Sequence, residues 1–239
     1  MAGNNYVTKA NGSFNFRQLN CHKEKAAMAN LELIGPAGHC IMLLQEPYNY
    51  KGTIPLGKKW AIHTGGPNPR AAIATDKSTK LWPCDDLSDN DCVTCVLSYK
   101  TKGGEEKSMI LVSLYCDITQ DIDNSKAGSI LIKVCEAARK TKQTLIIGMD
   151  SNAHSCLWGH ETNKRGEALE TIIVDYGLKV ENIGKSPTFR GRGSSTIIDV
   201  TLSMNCDSVE GWKVVDEYQF TDHAMITFSL DTKSKDKRH

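Results

Sequence analysis

At 239 residues and 40% hydrophobic content, the chain can fill one large domain or two small ones, and it is too apolar to be disordered as a whole. Its 29 basic and 28 acidic side chains leave a net charge of +1, so any nucleic-acid face must come from local clustering rather than bulk charge. Nine cysteines at irregular spacing point to free thiols in a reducing compartment, and neither a membrane-length apolar run nor the apolar core of a signal peptide is present.

In chain order, residues 1–13 are polar and read as a frayed leader. Phe14–Asn20 alternates apolar and polar residues, a short strand ending in Asn20. Residues 22–34 carry a helical pattern stopped by Gly35-Pro36. Cys40-Ile41-Met42-Leu43-Leu44-Gln45-Glu46 is an apolar strand that runs out into a single carboxylate, with Pro47 ending the ladder. Residues 48–70 form a Gly- and Pro-rich loop with a short strand at Trp60–His63. Ala71–Thr75, Cys92–Tyr99 and Ser108–Tyr115 read as strands, the last again ending in a polar cluster.

An amphipathic helix over 125–140 leads into the strand Leu145-Ile146-Ile147-Gly148-Met149-Asp150, which breaks abruptly into Ser151-Asn152-Ala153-His154. If strand alternation persists, Asp150 and Asn152 project to one side. A second helix spans Gly166–Tyr176, and short strands follow at Lys179–Asn182 and Thr188–Phe189. Arg190-Gly191-Arg192-Gly193-Ser194-Ser195 reads as a basic hairpin tip. Thr196–Ser203, Trp212–Val215 and Ala224–Leu230 are further strands. No repeat or linker divides residues 14–230, which read as one domain, and 231–239 form a charged tail.

Polar groups recur where strands end: Asn20, Glu46, Tyr115, Asp150 with Asn152, Asp199, and Thr221-Asp222-His223. Residue by residue, bland readings stay open. Asn20 would serve equally as a helix cap, and Asp222-His223 as a turn. Glu46 and Asp199, set in or after apolar runs, are harder to explain without a partner, because unpaired buried charge is costly. Cys92 and Cys95 have redox-motif spacing, but on a strand they face opposite sides. Trp82 and Trp158 read as packing residues.

Taken together, Gln18-Leu19-Asn20, Leu44-Gln45-Glu46-Pro47-Tyr48, Ser113-Leu114-Tyr115, Gly148-Met149-Asp150-Ser151-Asn152-Ala153-His154, Lys164-Arg165-Gly166, Ile198-Asp199-Val200-Thr201 and Thr221-Asp222-His223 resemble the endonuclease/exonuclease/phosphatase superfamily. Within it the chain is most similar to the apurinic-type endonuclease domain of LINE-like (non-LTR) retrotransposons.

The resemblance implies a four-layer α/β sandwich of two packed, mainly antiparallel β-sheets flanked by helices. It implies a Mg²⁺-dependent phosphodiesterase, Mn²⁺ substituting, with Glu46 holding the metal and Asn20 and Asp222 assisting; an all-oxygen shell suits either ion. Asp150 would orient and deprotonate the attacking water, and Asn152 would fix its geometry. His223 would donate to the scissile phosphate while Asp199 sets its tautomer or charge. Tyr115 and Thr188 would place hydroxyls on phosphate oxygens, and Thr221 stands where the family usually has serine. His22 stands where repair-type relatives carry an acidic residue near the metal.

Arg190 and Arg192 of the hairpin tip would contact duplex DNA, with Lys58, Lys59 and Arg70 adding phosphate contacts. The implied function is nicking of target duplex DNA, leaving a 3′-hydroxyl that primes reverse transcription. The implied partner is a reverse transcriptase domain of the same polyprotein beyond the tail, which contains Lys233, Lys235, Lys237 and Arg238. Such a protein is made in the cytoplasm and acts in the nucleus. The competing readings are an abasic-site repair endonuclease, a small-molecule or lipid phosphoesterase of the same superfamily, and a catalytically silent DNA-targeting module.

Overall fold

The computed structural model describes residues 7–9, 13–101, 103–159, 161–191, 193–206, 209–215 and 221–231. Its elements are β1 (Thr8–Lys9), β2 (Ser13–Asn20), α1 (Lys25–Ile34), β3 (His39–Gln45), β4 (Trp60–His63), β5 (Ala71–Asp76), β6 (Leu81–Pro83), β7 (Cys92–Lys100) and β8 (Glu106–Tyr115). There follow α2 (Lys126–Thr141), β9 (Thr144–Asp150), α3 (Lys164–Tyr176), β10 (Lys179–Val180), β11 (Phe189–Gly191), β12 (Ser194–Thr196), β13 (Asp199–Met204), β14 (Val209–Val215) and β15 (Met225–Asp231).

The strands form two large sheets and one hairpin. One sheet runs β1-β7-β8-β9-β13-β10 with β6 also on β7, the other runs β14-β15-β2-β3-β5-β4, and β11 pairs with β12 alone. Most pairings are antiparallel; β1–β7, β8–β9 and β2–β3 are parallel. Within the stretch expected as a frayed leader, Thr8–Lys9 pairs with Tyr99–Lys100 and Ser13 opens β2. The tail from 232 onward lies outside the described residues.

Three apolar cores explain why both central strands and helices are so hydrophobic. Phe14, Phe16, Leu43, Ile73, Leu111, Ile146 and Phe228 fill the space between the sheets. Val112, Leu145, Ile147 and Val200 pack beneath α2 and α3 with Leu131, Val134 and Leu169. Met42, Leu44 and Ala72 meet α1 through Ala27, Met28 and Leu31. The layers are therefore helices, sheet, sheet, helix, the expected four-layer α/β sandwich. Strands covered on both faces have no polar side to show, hence the continuous apolar runs of β3 and β9. Cys92 packs in the core under the helices and Cys95 in the core between the sheets, as opposite faces require. No disulfide joins cysteines among the described residues. Trp158 is buried, but Trp82, expected to pack, is 46% exposed on the short strand β6.

Helix ends follow local chemistry. The Ser125 hydroxyl accepts from the Gly128 amide at the start of α2, and Asn163 does the same for Gly166 at the start of α3. Gly177 closes α3 in the left-handed conformation.

A set of buried polar side chains stitches the two sheets together. Gln18 donates to the carbonyls of Met149 (3.2 Å) and Val200 (3.3 Å) and accepts from the Thr201 hydroxyl (2.8 Å). Gln45 donates to Ser113 Oγ (2.9 Å) and the Gly148 carbonyl (3.0 Å), and Ser113 donates to the Leu44 carbonyl (2.8 Å). Such bonds matter most where water is excluded, since an orphaned buried group costs far more than a bond gains. They fix the relative position of β2, β3, β9 and β13, whose ends carry the polar residues singled out above.

Candidate active site

The ends of four strands meet at one rim. β9 and β13 are antiparallel neighbours in a register that places Asp150 opposite Asp199. From the other sheet, Asn20 ends β2, and Glu46 directly follows β3. Asn20 Nδ2 donates to Asp150 Oδ2 at 2.7 Å and reaches Glu46 Oε2 at 3.5 Å, which ties the two sheets at the site. Its Oδ1 accepts the His22 amide (2.8 Å), so Asn20 is no helix cap. Helix α1 starts later, after Glu24, with no side-chain cap.

Asp150 is almost fully buried, with 1% exposure. Burial, then the neighbouring Asp199 charge, push its carboxyl up to about 7, against the pull of His223 and hydrogen bonds from Asn20 and the Asn152 amide. His223 Nδ1 lies 2.8 Å from Asp199 Oδ2 in an ion pair with both partners buried. Burial alone would lower the imidazole, but Asp199, Asp150 and Asp222 outweigh it and raise it to about 9. Asp199 Oδ1 is buried without a partner. The Phe189 ring meets the His223 ring edge-on at 5.0 Å. The apolar run around Asp199 thus hides a charge with a dedicated counter-ion, as its burial demands.

Tyr115 ends β8 beside this cluster, and burial together with the Glu46 and Asp150 charges raises its phenol strongly. The Arg70 guanidinium lies over its ring at 5.0 Å. Arg70 is not available as a plain phosphate contact: it is held by Asp91 (2.5 and 2.6 Å) and Asp117 (2.5 Å). Lys58 and Lys59 are exposed in the loop.

Other expected residues take different places. Strand β9 stops at Asp150, and Asn152 has φ +46°, so alternation does not carry Asn152 to the same side. Its backbone amide donates to Asp150 Oδ1 (3.1 Å) and its Nδ2 to the Cys116 carbonyl (3.1 Å). Thr188 is 0% exposed, and its hydroxyl oxygen accepts the amides of Ile198 (3.1 Å) and Asp199 (3.0 Å). It is therefore a support for Asp199 and not a surface hydroxyl for phosphate. Thr221 accepts the His223 amide at 2.9 Å, and its hydroxyl is within reach of the Asn20 carbonyl at 3.0 Å. Asp222 Oδ1 pairs with His22 Nδ1 at 2.7 Å, and Glu46 pairs with Lys23 Nζ at 2.9 Å.

The hairpin of β11 and β12 is docked on the site by backbone bonds, Arg190 N–H to the Asp222 carbonyl and Ala224 N–H to the Thr188 carbonyl, both 2.7 Å. Arg192 lies outside the described residues.

Sequence reading missed Arg165 as a brace. Its guanidinium donates to the carbonyls of Asn152 (2.9 Å), Ser151 (3.0 Å) and Gln120, holding the loop that follows Asp150. A Cβ on the next residue, Gly166, would stand 1.8 Å from the His154 carbonyl oxygen, so only glycine lets α3 approach this loop. The string Lys164-Arg165-Gly166 carries the signal in the sequence.

The comparisons with known proteins agree with this geometry. Residues 109–227 match the model of a family described as endonuclease-reverse transcriptase. Among solved structures, the endonuclease domain of TRAS1, a telomere-specific non-LTR retrotransposon, is 27% identical, with a TM-score of 0.71 over 91% of this chain and 98% of that one. The catalytic domains of Xenopus laevis APE2 and human Nocturnin superpose with TM-scores of 0.64 and 0.60 at 13% identity, each over 92% of this chain and 94% of the other. A comparison with curated proteins gave no match. The fold and site define a member of the endonuclease/exonuclease/phosphatase superfamily. Within it, residues 109–227 match the endonuclease-reverse transcriptase family, and the chain is similar to the endonuclease domain of a non-LTR retrotransposon. No helix among the described residues is long and apolar enough to cross a membrane.

Proposed function

We propose that this domain is a divalent-metal-dependent endonuclease that nicks intact duplex DNA, leaving a 3′-hydroxyl from which reverse transcription is primed. The observation that carries this reading is the buried Asp150–Asp199–His223 cluster, joined to Glu46 through Asn20 at the rim where both sheets end.

The donor chemistry fits a hard cation. Glu46 and Asp150 offer carboxylate oxygens around Asn20, and Glu46 already carries a positive group, the Lys23 ammonium at 2.9 Å. Asp150, Asp199 and His223 also present ligand atoms within 4.8 Å of one another. The Asp199–His223 hydrogen bond already occupies one face of that trio, so Glu46 is the better seat for Mg²⁺ or Mn²⁺, with Asn20, whose Nδ2 faces both Glu46 and Asp150, orienting the carboxylates. Such an ion supplies Lewis-acid polarisation of the phosphate and offsets its growing charge.

The chain's own groups then divide the work. Asp150, deprotonated above about pH 7, orients water and takes its proton as the oxygen attacks phosphorus. The bond from phosphorus to the 3′-oxygen breaks, and that oxygen takes a proton from solvent water and leaves as the hydroxyl. With Nδ1 held by Asp199, His223 keeps its other ring N–H to donate to a phosphate oxygen. Tyr115 adds a phenol whose raised pKa keeps it a donor. Arg190 of the docked hairpin engages the duplex, and Arg192, two residues on in the sequence, adds a second cation for it. Residues 14–230 act as the catalytic domain, residues 231–239 as the link to a reverse transcriptase domain, and the protein works in the nucleus.

The test is product chemistry on matched intact and abasic duplexes. Nicks in the intact duplex that a DNA polymerase extends without end repair are expected. Cleavage confined to the abasic duplex would move the domain to repair.

A further inference from the structure

Between β2 and α1 the chain makes a turn with two consecutive non-glycine residues in the left-handed region, His22 at φ +46° and Lys23 at φ +55°. Glu46, across from them, is also left-handed at φ +42°. L side chains rarely adopt this conformation, and two in succession persist only where surrounding structure holds them. The hold is visible. The Lys23 amide donates to the Glu46 carbonyl at 2.7 Å, and the His22 amide donates to Asn20 Oδ1 at 2.8 Å.

The turn delivers two side chains to two carboxylates. Lys23 Nζ sits 2.9 Å from Glu46 Oε1, and His22 Nδ1 sits 2.7 Å from Asp222 Oδ1. The Glu46 side chain is only 14% exposed, whereas that of Lys23 is 61% exposed. In this pair the carboxylate is fixed and the ammonium is the partner free to leave. Lys23 also lines a polar cleft of about 580 Å³, with Arg70, Asn68, Asn90 and Lys126 among its walls. Arg70 is engaged by Asp91 and Asp117, and Lys126 by Asp89 at 3.2 Å, so a displaced Lys23 would swing into a cleft whose other cations are already paired.

We propose that Lys23 is a displaceable cationic latch on Glu46, a positioning residue that competes with the divalent ion for this carboxylate and is released to the cleft when the ion arrives. The proposal rests on the reading of Glu46 as the metal carboxylate. Without the ion, the ammonium neutralises a largely buried charge. With the ion in place, Lys23 loses its partner and becomes the unpaired cation of the cleft, where a strand phosphate is the partner of matching charge. Metal and DNA then favour one another, because each takes one member of the same ion pair.

The test is direct binding of Mn²⁺ to the DNA-free domain, read from the paramagnetic resonance signal of the free ion. Four proteins are compared with wild type: Lys23→Ala, Lys23→Gln, Lys23→Arg and Glu46→Gln. Removing a positive charge beside the site should tighten Mn²⁺ binding about fivefold to tenfold in both the Ala and Gln variants. Lys23→Gln keeps most of the side-chain stem, so agreement of the two separates charge from packing. Lys23→Arg should bind as wild type. Glu46→Gln should bind at least about tenfold more weakly, since even outer partners of metal ligands cost that much. Unchanged or weaker binding in both Lys23→Ala and Lys23→Gln, with Glu46→Gln impaired, would overturn the latch and leave the metal seat standing. Unimpaired binding by Glu46→Gln would overturn both.

Discussion

Asp150 and Asp199 stand opposite one another as Cα partners in the β9–β13 ladder, two buried carboxylates separated by one antiparallel pairing. The register decides their chemistry. A slip of one residue would send one of them to the opposite face and separate the charges. As built, Asp199 takes His223 as counter-ion while its charge helps keep the Asp150 proton on. Two like groups are thereby pushed toward different tasks, one a base and one an orienter.

The first prediction concerns pH. Asp150 must lose its proton to act as base, so activity should rise through about pH 7; it should fall near pH 9 as His223 loses its positive charge. In Asp199→Asn the groups that hold the imidazole up are reduced while burial still lowers it. The basic limb of the rate profile should move to lower pH, and the imidazole titration followed by NMR should move with it. A basic limb that stays in place would remove His223 from this role.

Stability gives an independent reading of the same group. A carboxyl whose folded pKa is raised from 3.8 to about 7 favours the folded state fully below 3.8, and this contribution is lost as pH rises through 7. Asp150→Asn removes the buried charge and should therefore melt higher than wild type at pH 8, by about 2–8 °C, for roughly 1–2 kcal/mol. The difference should shrink toward pH 5. Thermal melts in EDTA at the two pH values check it.

Thr188 supplies a test of positioning. Thr188→Val removes the oxygen that accepts the amides of Ile198 and Asp199, leaving two buried donors unpaired. A loss of about 1–3 kcal/mol in denaturant unfolding is expected, with a fall in kcat exceeding the change in KM. If the hydroxyl instead contacted substrate phosphate, KM would carry the effect.

Gly148 tests the sheet-to-sheet stitching. A Cβ there would meet Leu43 Cδ1 at 2.7 Å and Gln18 Oε1 at 2.9 Å. Gly148→Ala should cost about 1–3 kcal/mol and lower nicking, because it pushes apart the sheets whose ends carry Asn20 and Asp150. Unaltered stability by denaturant melts would show that the sheets can yield there.

Much of this was legible in the chain. Apolar runs breaking into Glu46, Asp150 and Asp199 located strand ends, and burial on both faces of β3 and β9 explains why those runs are unbroken. Helices α2 and α3 followed from their apolar stripes. What stayed hidden depends on register and turn geometry. Nothing in the spacing of His22 and Lys23 reveals a left-handed pair that reaches Asp222 and Glu46. Thr188 looks like a surface hydroxyl until β11 folds it beneath Asp199. Gln18 and Gln45 sit in apolar strands as apparent exceptions, and only the packing of one sheet on the other shows where their amide groups donate. Arg70 reads as a loose loop cation until Asp91 and Asp117 are seen to hold it.

The central claim is tested most directly by conversion of supercoiled plasmid to open circles, with Mg²⁺ and with EDTA, by wild type, Asp150→Ala and His223→Ala. The account predicts Mg²⁺-dependent nicking of intact plasmid by wild type, abolished by EDTA and reduced at least about a hundredfold in each variant. Undiminished nicking by Asp150→Ala and His223→Ala, or equal nicking in EDTA, would contradict it.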